Sequence, residues 1–487
     1  MQREFLINLL FLIFINLLIK PFYLFGIERS VQNTLSGGDY GLYFALFNLT
    51  FLFQIVNDLG IQYYNNQHVA KYRHLLSKYF ADMLLLKLGL CLVFFLIVLV
   101  AGAAVGYRGF GYGLLALIAV NQMLNSFLQF LRSNISGLGL YRIDSLISVA
   151  DKLALIVLLG IMLYGPSQGR GFTITRFVLM QTLSWSVAIG FCWLVLRDRI
   201  QIRRFRFKPA LLVLILKQSY PFALAVFLMS AYNRLDGVMI ERMLSDGKYQ
   251  ADIYASAYRL LEASNMIGFL FTGLLLPMFA QLYRDSEGLR QLVNFSFKLI
   301  FSVSVALAAS VWCYRAEIME ALYHRGNTYS GDILGLLMWS FIATCGGYVF
   351  GTLITASGRL GAINKVYAAS LALNIVLNIL LIPTYKALGA AWAMLITQTA
   401  VFGAQLIIAT RQAALQWPLS AWLRLPAFAG FSVVVSFLIL FNLETGWIVK
   451  FFATICAIAF GALLFRLVRL KETLRLLAPA ASARRKE

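Results

Sequence analysis

Charged residues are scarce in this chain. Only 13% of its 487 residues are charged and 60% are hydrophobic, whereas an ordinary soluble domain has about 25% charged and about 45–50% apolar residues. A chain this poor in charge is not an ordinary soluble protein. Its composition is typical of a protein whose solvent is the lipid bilayer.

Cysteine pairs, clustered histidines and catalytic signatures are missing as well. The five cysteines are scattered without a CxxC pair, and His68, His74 and His324 lie in predicted loops without metal-ligand spacing. We therefore expect no disulfide framework and no metal site. There is no GxxxxGKS or GxxxxGKT phosphate loop, no HExxH and no GxSxG element, which argues against an ATP-driven pump. The sequence predicts no catalytic residue and no cofactor.

Long apolar runs are what the sequence has instead. A helix that crosses a hydrocarbon core about 30 Å thick needs roughly 20 mostly apolar residues. Fourteen such runs occur, at 5–25, 41–63, 82–104, 111–131, 146–164, 175–196, 211–233, 253–281, 295–313, 333–356, 366–383, 387–409, 423–441 and 446–466. They exceed a barrel strand of about ten residues, and backbone polar groups cannot stay unpaired in lipid. We predict an all-α polytopic membrane protein with about 14 transmembrane helices, the first of them a retained helix and not a removed signal peptide.

Basic residues between the runs indicate orientation. The net charge is +21, and placing both termini in the cytoplasm puts most Lys and Arg on the cytoplasmic side, as the positive-inside rule requires. The densest basic segments are 197–208 and the tail 471–487. The simpler interpretation of 197–208 is a topology anchor, and contact with anionic lipid headgroups is the alternative. Membrane lipids, and not nucleic acid, are the expected partners.

The basic segment 197–208 also divides the chain into related halves. Lys20-Pro21-Phe22 in the first helix of the first half corresponds to Tyr220-Pro221-Phe222 in the second. With an even number of spans in each half, the repeats share orientation and are related by a pseudo-two-fold axis along the membrane normal, which encloses a central cavity. The predicted domains are an N-terminal six-helix lobe (1–200), a C-terminal six-helix lobe (201–412), a terminal helix pair (413–470) and a basic cytoplasmic tail (471–487).

Ionisable side chains inside the spans are the best candidates for a site. A charge at mid-helix costs about 2.5–3.5 kcal/mol on translocon-derived scales, and it is tolerated where the side chain faces protein or water. Arg259 and Glu262 are three residues apart, so they share a helix face and are predicted to pair. The candidates are Lys20, Asp58, Asp151, Lys152, Arg234, Asp236, Arg259 and Glu262.

Most of these charges also have a purely structural interpretation. Asp58, Arg234 and Asp236 lie near span ends, where snorkelling to the interface removes much of the cost. Asp151 and Lys152 point about 100° apart on a helix, so each can satisfy a neighbouring helix. Both interpretations stay open at this point.

Lys20 is the best candidate for a cation in the cavity. It lies beside the helix-bending Pro21 and on the same face as Asn16, although snorkelling is an alternative for it too. Polar side chains at helical spacing elsewhere favour hydrogen bonds between helices over substrate contact. These are Gln122, Asn125, Gln129, Asn374 and Asn378.

Four stretches carry a resemblance to a known family. They are Gly38-Asp39-Tyr40-Gly41-Leu42-Tyr43, Tyr232-Asn233-Arg234-Leu235-Asp236, Tyr254-Ala255-Ser256-Ala257-Tyr258-Arg259 and Pro383-Thr384-Tyr385-Lys386-Ala387-Leu388-Gly389-Ala390-Ala391. At these positions the chain resembles bacterial polysaccharide flippases of the O-antigen type, in the multidrug/oligosaccharidyl-lipid/polysaccharide (MOP) exporter superfamily. The resemblance implies alternating-access transfer of an undecaprenyl-diphosphate-linked oligosaccharide from the cytoplasmic to the periplasmic leaflet of the bacterial inner membrane, for cell-surface polysaccharide biosynthesis.

The resemblance also implies roles for particular residues. Basic residues of the first two helices of each lobe are expected to bind the diphosphate, which nominates Lys20, Arg29, Arg234 and Arg259. Some members couple to H⁺ or Na⁺, and the carboxylates available for that are Asp58, Asp151, Asp236 and Glu262. Polysaccharide polymerase machinery is the expected protein partner.

Two other functions compete with the flippase. An ion-coupled drug or metabolite antiporter of the same superfamily has two such lobes but usually twelve spans. A membrane glycosyltransferase, polymerase or ligase generally needs a sizeable extracytoplasmic loop, whereas the outer loops near 26–40, 235–252 and 314–332 are short. The flippase is therefore the preferred prediction, and a transporter is preferred over an enzyme.

Overall fold

A computed structural model describes residues 15–16, 18–35, 37–61, 76–166, 171–197, 209–283, 285–412 and 419–467. Helices and short connections account for these residues, with no strand among them. The predicted all-α class is confirmed. The predicted cytoplasmic tail, most of the basic segment 197–208 and two of the histidines, His68 and His74, lie outside the described residues.

The first half of the chain begins with a helix that changes its winding. Residues 18–22 are helical and continue into a π-helical turn, Tyr23–Glu28, and then into α1, Arg29–Thr34. After α2, Asp39–Leu52, a 3₁₀ turn covers Gln54–Asn57. The next helices are α3 (Leu76–Ala104), α4 (Gly109–Gly137), α5 (Tyr141–Tyr164) and α6 (Ile174–Leu196).

The second half contains longer helices and one short one. α7 covers Pro209–Met243 and α8 covers Gly247–Leu282. The remaining helices are α9 (Ser286–Cys313), α10 (Arg315–Leu322), α11 (Thr328–Ala356), α12 (Leu360–Tyr385), α13 (Ala387–Gln412), α14 (Leu419–Asn442) and α15 (Trp447–Leu464). The short α10 lies in what the sequence predicts to be an outer loop.

Eleven helices of the described residues are long and apolar enough to cross a membrane. The chain is therefore a multi-pass membrane protein, although the predicted number of fourteen is not confirmed. The first predicted span falls partly outside the described residues, and the second, 41–63, is interrupted where α2 ends at Leu52.

The chain divides into two compact units. The first unit contains residues 1–256, 323–325 and 367–390, and the second contains 257–322, 326–366 and 391–487. In the first unit, buried residues of α3, α4, α5 and α6 form an apolar core that includes Phe80, Phe130 and Trp185. In the second unit, the rings of Phe297, Phe350 and Phe402 pack with centroids 5.0–6.1 Å apart. The predicted lobe boundaries stay predictions.

A glycine contact brings α2 against the start of α8 within the first unit. A Cβ added at Gly41 would lie 1.9 Å from the carbonyl oxygen of Lys248 and 2.6 Å from the backbone nitrogen of Asp252. The two backbones therefore touch where no side chain fits. This contact fixes the position of the polar residues on both helices.

Candidate functional site

Lys20 and Asp151, which the sequence nominates separately, come together in the first unit. Lys20 is half-buried, and it interacts electrostatically with Lys152, Asp151 and Arg132. The first helix is tied to α5 by a hydrogen bond from Asn16 Nδ2 to Ser148 Oγ, 3.0 Å long. The first helix therefore places Lys20 beside the charged pair of α5.

Lys152 is held by one carboxylate and two aromatic rings. Its Nζ lies 3.1 Å from Asp151 Oδ2, and 5.0 Å and 5.8 Å from the ring centroids of Tyr23 and Trp185. An ammonium over a ring face is attracted by the ring quadrupole. Ser184 Oγ donates to the carbonyl oxygen of Asp151 and ties α6 to this part of α5.

A third cation completes this group. Arg132 Nε lies 2.8 Å from Asp144 Oδ1, and Arg132 Nη1 donates to Gln129 Oε1 at 3.1 Å. We call Lys20, Arg132 and Lys152 the N-terminal basic cluster. With the carboxylates of Asp144 and Asp151 beside it, the cluster has one positive charge in excess.

Arg234 of α7 reaches α2. Its Nη1 donates to Asn48 Oδ1 at 3.2 Å, and its guanidinium carbon lies 4.6 Å from the ring centroid of Phe51. Close packing of α2 and α7 supports this contact, because a Cβ added at Gly237 would lie 2.6 Å from Asn48 Nδ2. Arg234 is half-buried.

Asp236, two residues further along α7, is buried among neutral hydrogen-bond donors. It is 1% exposed. Tyr254 Oη donates to its Oδ2 at 3.0 Å, and the side-chain amides of Asn374 and Asn378 donate to its Oδ1 at 3.1 Å and 2.7 Å. Within the described part of the chain, no Lys or Arg forms a salt bridge with Asp236. A buried carboxylate without a positive partner is costly, so this position suits a group that takes up a proton or a monovalent cation.

The two asparagines of α12 form the hydrogen bonds between helices that their spacing predicts, since both donate to Asp236 of α7. Asn378 Nδ2 also donates to Asn374 Oδ1 at 3.1 Å. Asn378 Oδ1 is buried and has no hydrogen-bond partner among the described residues. Because Asn378 contacts Asp236, an oxygen able to accept a hydrogen bond lies on a residue of the Asp236 site.

The other two nominated cations have different surroundings. Arg29, at the start of α1, is half-buried, and its Nε is buried without a hydrogen-bond partner among the described residues. Arg259 lies in the second unit, where its Nη1 is 2.5 Å from Glu262 Oε2. The predicted pairing of Arg259 with Glu262 is confirmed.

Asp58 has a partner that the sequence analysis missed. Lys87 of α3 is fully buried, and its Nζ donates to the carbonyl oxygen of Asn57 at 2.7 Å, to Asp58 Oδ1 at 3.1 Å and to Ser126 Oγ at 2.6 Å. The sequence does contain a signal for a buried cation here, since Lys87 is a single lysine inside the apolar run 82–104. Its contacts bind the 3₁₀ turn after α2 to α3 and α4.

A second missed contact ties α1 to α8. Gln32 Nε2 donates to Asp252 Oδ1 at 2.7 Å, and Arg325 Nη1 lies 3.2 Å from Asp252 Oδ2. Arg325 Nη2 also donates to the carbonyl oxygen of Leu35 at 3.3 Å. The predicted topology puts this group of residues on the outer side of the membrane.

A third missed contact joins the turn between α3 and α4 to the end of α7. Tyr107 Oη donates to Glu241 Oε2 at 2.9 Å, and Arg242 Nε lies 3.0 Å from the same oxygen. The Arg242 guanidinium carbon lies 3.5 Å from the Tyr107 ring centroid. Burial and the neighbouring Glu241 carboxylate raise the pKa of the Tyr107 phenol, so Tyr107 remains a hydrogen-bond donor at neutral pH.

Comparison with known proteins adds a family and a fold to this geometry. The model of a family described as polysaccharide biosynthesis protein matches residues 6–283, which is more than half of the chain. A search of curated proteins finds no significant match.

Three solved structures are similar over most of their length. The lipid II flippase MurJ, in an inward closed conformation, is 13% identical, with a TM-score of 0.70 over 94% of this chain and 99% of that chain. An inward-facing multidrug resistance MATE family transporter of the MOP superfamily is 16% identical, with a TM-score of 0.66 over 80% of this chain and 94% of that chain. A MOP superfamily transporter from Pyrococcus furiosus is 15% identical, with a TM-score of 0.57 over 84% of this chain and 94% of that chain. The chain has the fold of these proteins.

Proposed function

Because this chain belongs to the polysaccharide biosynthesis protein family, we propose that it is a flippase, a carrier and not an enzyme, for a lipid-linked oligosaccharide. The substrate is an oligosaccharide joined to undecaprenyl diphosphate. The carrier moves it from the cytoplasmic to the periplasmic leaflet of the bacterial inner membrane, for use in cell-surface polysaccharide such as O-antigen. Both termini lie in the cytoplasm, and polysaccharide polymerase machinery receives the product. The family and the shared fold support the proposal.

The excess positive charge of the N-terminal basic cluster is the observation that best supports this substrate class. The N-terminal basic cluster has a positive charge in excess, and two of its three residues, Arg132 and Lys152, lie on helices long and apolar enough to cross a membrane. A diphosphate does not cross hydrocarbon unaided, because removing its charge from water is costly. Fixed cations in a hydrated cleft lower that cost, while the polyprenyl tail stays in lipid.

Alternating access completes the proposed cycle. The two predicted lobes rock about the bound headgroup and expose it first to one side of the membrane and then to the other. Lys20, Arg29, Arg234 and Arg259 supply the positive charge along this path. Arg29 has an unused buried donor, whereas Arg259 must give up some of its contact with Glu262 to reach a substrate.

Asp236 is the best supported of the four proposed ion-coupling carboxylates. Asp58, Asp151 and Glu262 each lie beside a lysine or arginine, so each already has a counter-charge. Asp236 is buried with neutral donors instead. Uptake of H⁺ or Na⁺ would remove the cost of its charge, and this can link its state to the conformation of the carrier.

Deletion of the gene tests the proposal. We expect a glycan carrier to accumulate in the cytoplasmic leaflet, and we expect wild-type protein to reverse this while Lys20→Ala and Arg234→Ala do not. Lys386→Ala is the matched control, because Lys386 is exposed and forms a salt bridge with Asp246. Normal surface glycan in a deletion strain that has no redundant gene would contradict the proposal.

A further inference from the structure

The contact between Lys152 and Asp151 is not imposed by the helix that carries them. Adjacent residues on an α-helix do not face each other, yet these two side chains bend together to a distance of 3.1 Å. Their side chains are 26% and 13% exposed, so neither is sealed in the core. A pair of this kind can separate without any change in α5.

The charges around the pair do not balance. Arg132 is matched by Asp144 at 2.8 Å, and Lys152 is matched by Asp151. In the described part of the chain, Lys20 has no carboxylate within salt-bridge distance, and it interacts electrostatically with Lys152. Two lysines therefore lie near a single carboxylate that pairs with only one of them, and the excess positive charge favours the binding of an anion.

The surroundings of Lys152 leave its donors available. A lysine ammonium has three N–H donors, and among the described residues the one oxygen that Lys152 Nζ contacts is Asp151 Oδ2. The rings of Tyr23 and Trp185 hold the ammonium in place by cation–π attraction without neutralising it. Lys152 is thus positioned, charged and able to change its partner.

We propose that Lys20 and Lys152 together bind the diphosphate of the substrate, and that Asp151 is an internal counter-ion which Lys152 releases when the diphosphate enters. Each ammonium serves one phosphoryl group. The inference rests on the proposed function and adds Lys152 to the binding residues. It gives Asp151 a role different from ion coupling, since its carboxylate occupies Lys152 in the empty carrier and competes with the substrate.

The two residues should therefore respond to neutralisation in opposite directions. Lys152→Gln removes one charge-assisted contact with the phosphate, which lowers affinity by roughly ten-fold or more. Asp151→Asn removes the internal competitor, so it raises affinity several-fold. General damage to the fold would not raise affinity, so the Asp151→Asn variant separates the proposed role from a structural one.

Binding by the purified full-length protein in lipid nanodiscs tests this. Geranylgeranyl diphosphate is the probe, geranylgeraniol is the uncharged reference, and isothermal titration gives the Kd. We expect Lys152→Arg to bind the diphosphate within a few-fold of wild type, Lys152→Gln to bind it at least roughly ten-fold more weakly, and neither to change binding of the alcohol. Lys386→Gln is the control for loss of an exposed charge, and Lys152→Met is a second variant of similar size.

The outcomes distinguish this inference from the proposed function. Wild-type affinity for the diphosphate in both Lys152→Gln and Lys152→Met would overturn the role of Lys152 and leave the deletion phenotype unaffected. Affinity in Asp151→Asn equal to or lower than that of the wild type would overturn the counter-ion role. Equal affinity of the wild type for the diphosphate and the alcohol would overturn the diphosphate site itself, and a normal glycan in the deletion strain would overturn the function as well.

Discussion

The carboxylates inside the helices fall into two groups, according to whether their partners are cations or neutral hydrogen-bond donors. Asp58, Asp151 and Glu262 lie beside Lys87, Lys152 and Arg259. Asp236 accepts hydrogen bonds from a tyrosine and two asparagines. The first group compensates its charge with a cation of the protein, whereas the second has only neutral donors among the described residues, which is why we propose it for ion coupling.

Asp236→Asn is expected to uncouple transport from an ion gradient. The amide cannot take up a proton and does not attract a cation as a carboxylate does. In reconstituted vesicles, the variant should transport at a rate that no longer responds to an imposed pH or sodium gradient. Asp246→Asn, which changes an exposed carboxylate, should keep the wild-type response. Retention of full gradient dependence by Asp236→Asn would assign coupling to another residue.

Lys87→Met is expected to destabilise the protein. The apolar chain fills most of the space of the lysine, but it removes the ammonium group that donates to the Asn57 carbonyl oxygen and to Asp58 Oδ1. A buried group that loses its partner costs about 1–3 kcal/mol. The free energy of unfolding in detergent should fall by that amount relative to Lys386→Met, and equal stability of the two variants would show that Lys87 is not a structural cation.

At the scale of the element, α2 is the helix whose packing constrains the site most closely. Its Gly41 touches the backbone of α8, and its Asn48 and Phe51 hold Arg234 of α7. Tyr40, Tyr43 and Phe44 on the same helix are 2% exposed or less. α2 therefore joins the aromatic core of the first unit to one of the nominated cations.

Gly41→Ala tests the close approach of α2 and α8. The new methyl group would meet the Lys248 carbonyl and the Asp252 nitrogen, which are backbone atoms and cannot turn aside. Overpacking of this kind typically costs about 1–3 kcal/mol, and we expect a lower unfolding temperature together with reduced transport. Gly113→Ala is the matched control, because a Cβ there meets nothing within 4 Å. Equal effects of the two substitutions would contradict the described contact.

Hydrophobic runs predicted where helices lie but not how they end. The run 41–63 is continuous in the sequence, yet α2 stops at Leu52 and a 3₁₀ turn follows at Gln54–Asn57. Lys87 of α3 donates hydrogen bonds to Asn57 and Asp58 and stabilises this turn from another helix. An apolar pattern indicates only that a segment lies in lipid or in the protein core. It cannot predict a change from α-helix to 3₁₀ turn whose partner lies far away in the sequence.

Partners across the chain are the part of the site that the sequence could not predict. Lys20, Asp151, Arg234 and Asp236 are conspicuous as charges in apolar segments. The amides that bind Asp236 come from 138 and 142 residues away, and spacing within one helix carries no information about them. Pairing was predictable only within one turn, as for Arg259 and Glu262.

At the scale of the whole molecule, composition was sufficient for the class of protein. The scarcity of charge and the long apolar runs predicted an all-α multi-pass membrane protein, and short motifs predicted the family. The number of spans is not confirmed, because eleven helices of the described residues meet the requirement for a span and fourteen were expected. The lobe boundaries and the orientation of the termini stay predictions.

Alternating access predicts that contacts on the outer side must break during transport. Gln32 belongs to the predicted N-terminal lobe and Asp252 to the C-terminal lobe, and their side chains are hydrogen-bonded at 2.7 Å. With cysteines at both positions in a background without native cysteines, a short reducible bifunctional cross-linker should block transport. Reductant should restore it. Undiminished transport by cross-linked protein would show that these two positions need not separate.

Leaflet transfer by purified protein in proteoliposomes tests most directly whether the carrier moves a diphosphate-linked oligosaccharide across the membrane. The substrate is a fluorescent oligosaccharide on a polyprenyl diphosphate, and a membrane-impermeant quencher reports how much of it reaches the outer leaflet. We predict transfer well above that of protein-free vesicles for the wild type and for Lys386→Gln, and transfer at the background rate for Lys20→Gln. Transfer by Lys20→Gln and Arg234→Gln as fast as by the wild type would contradict the claim that basic residues inside the membrane carry the diphosphate across.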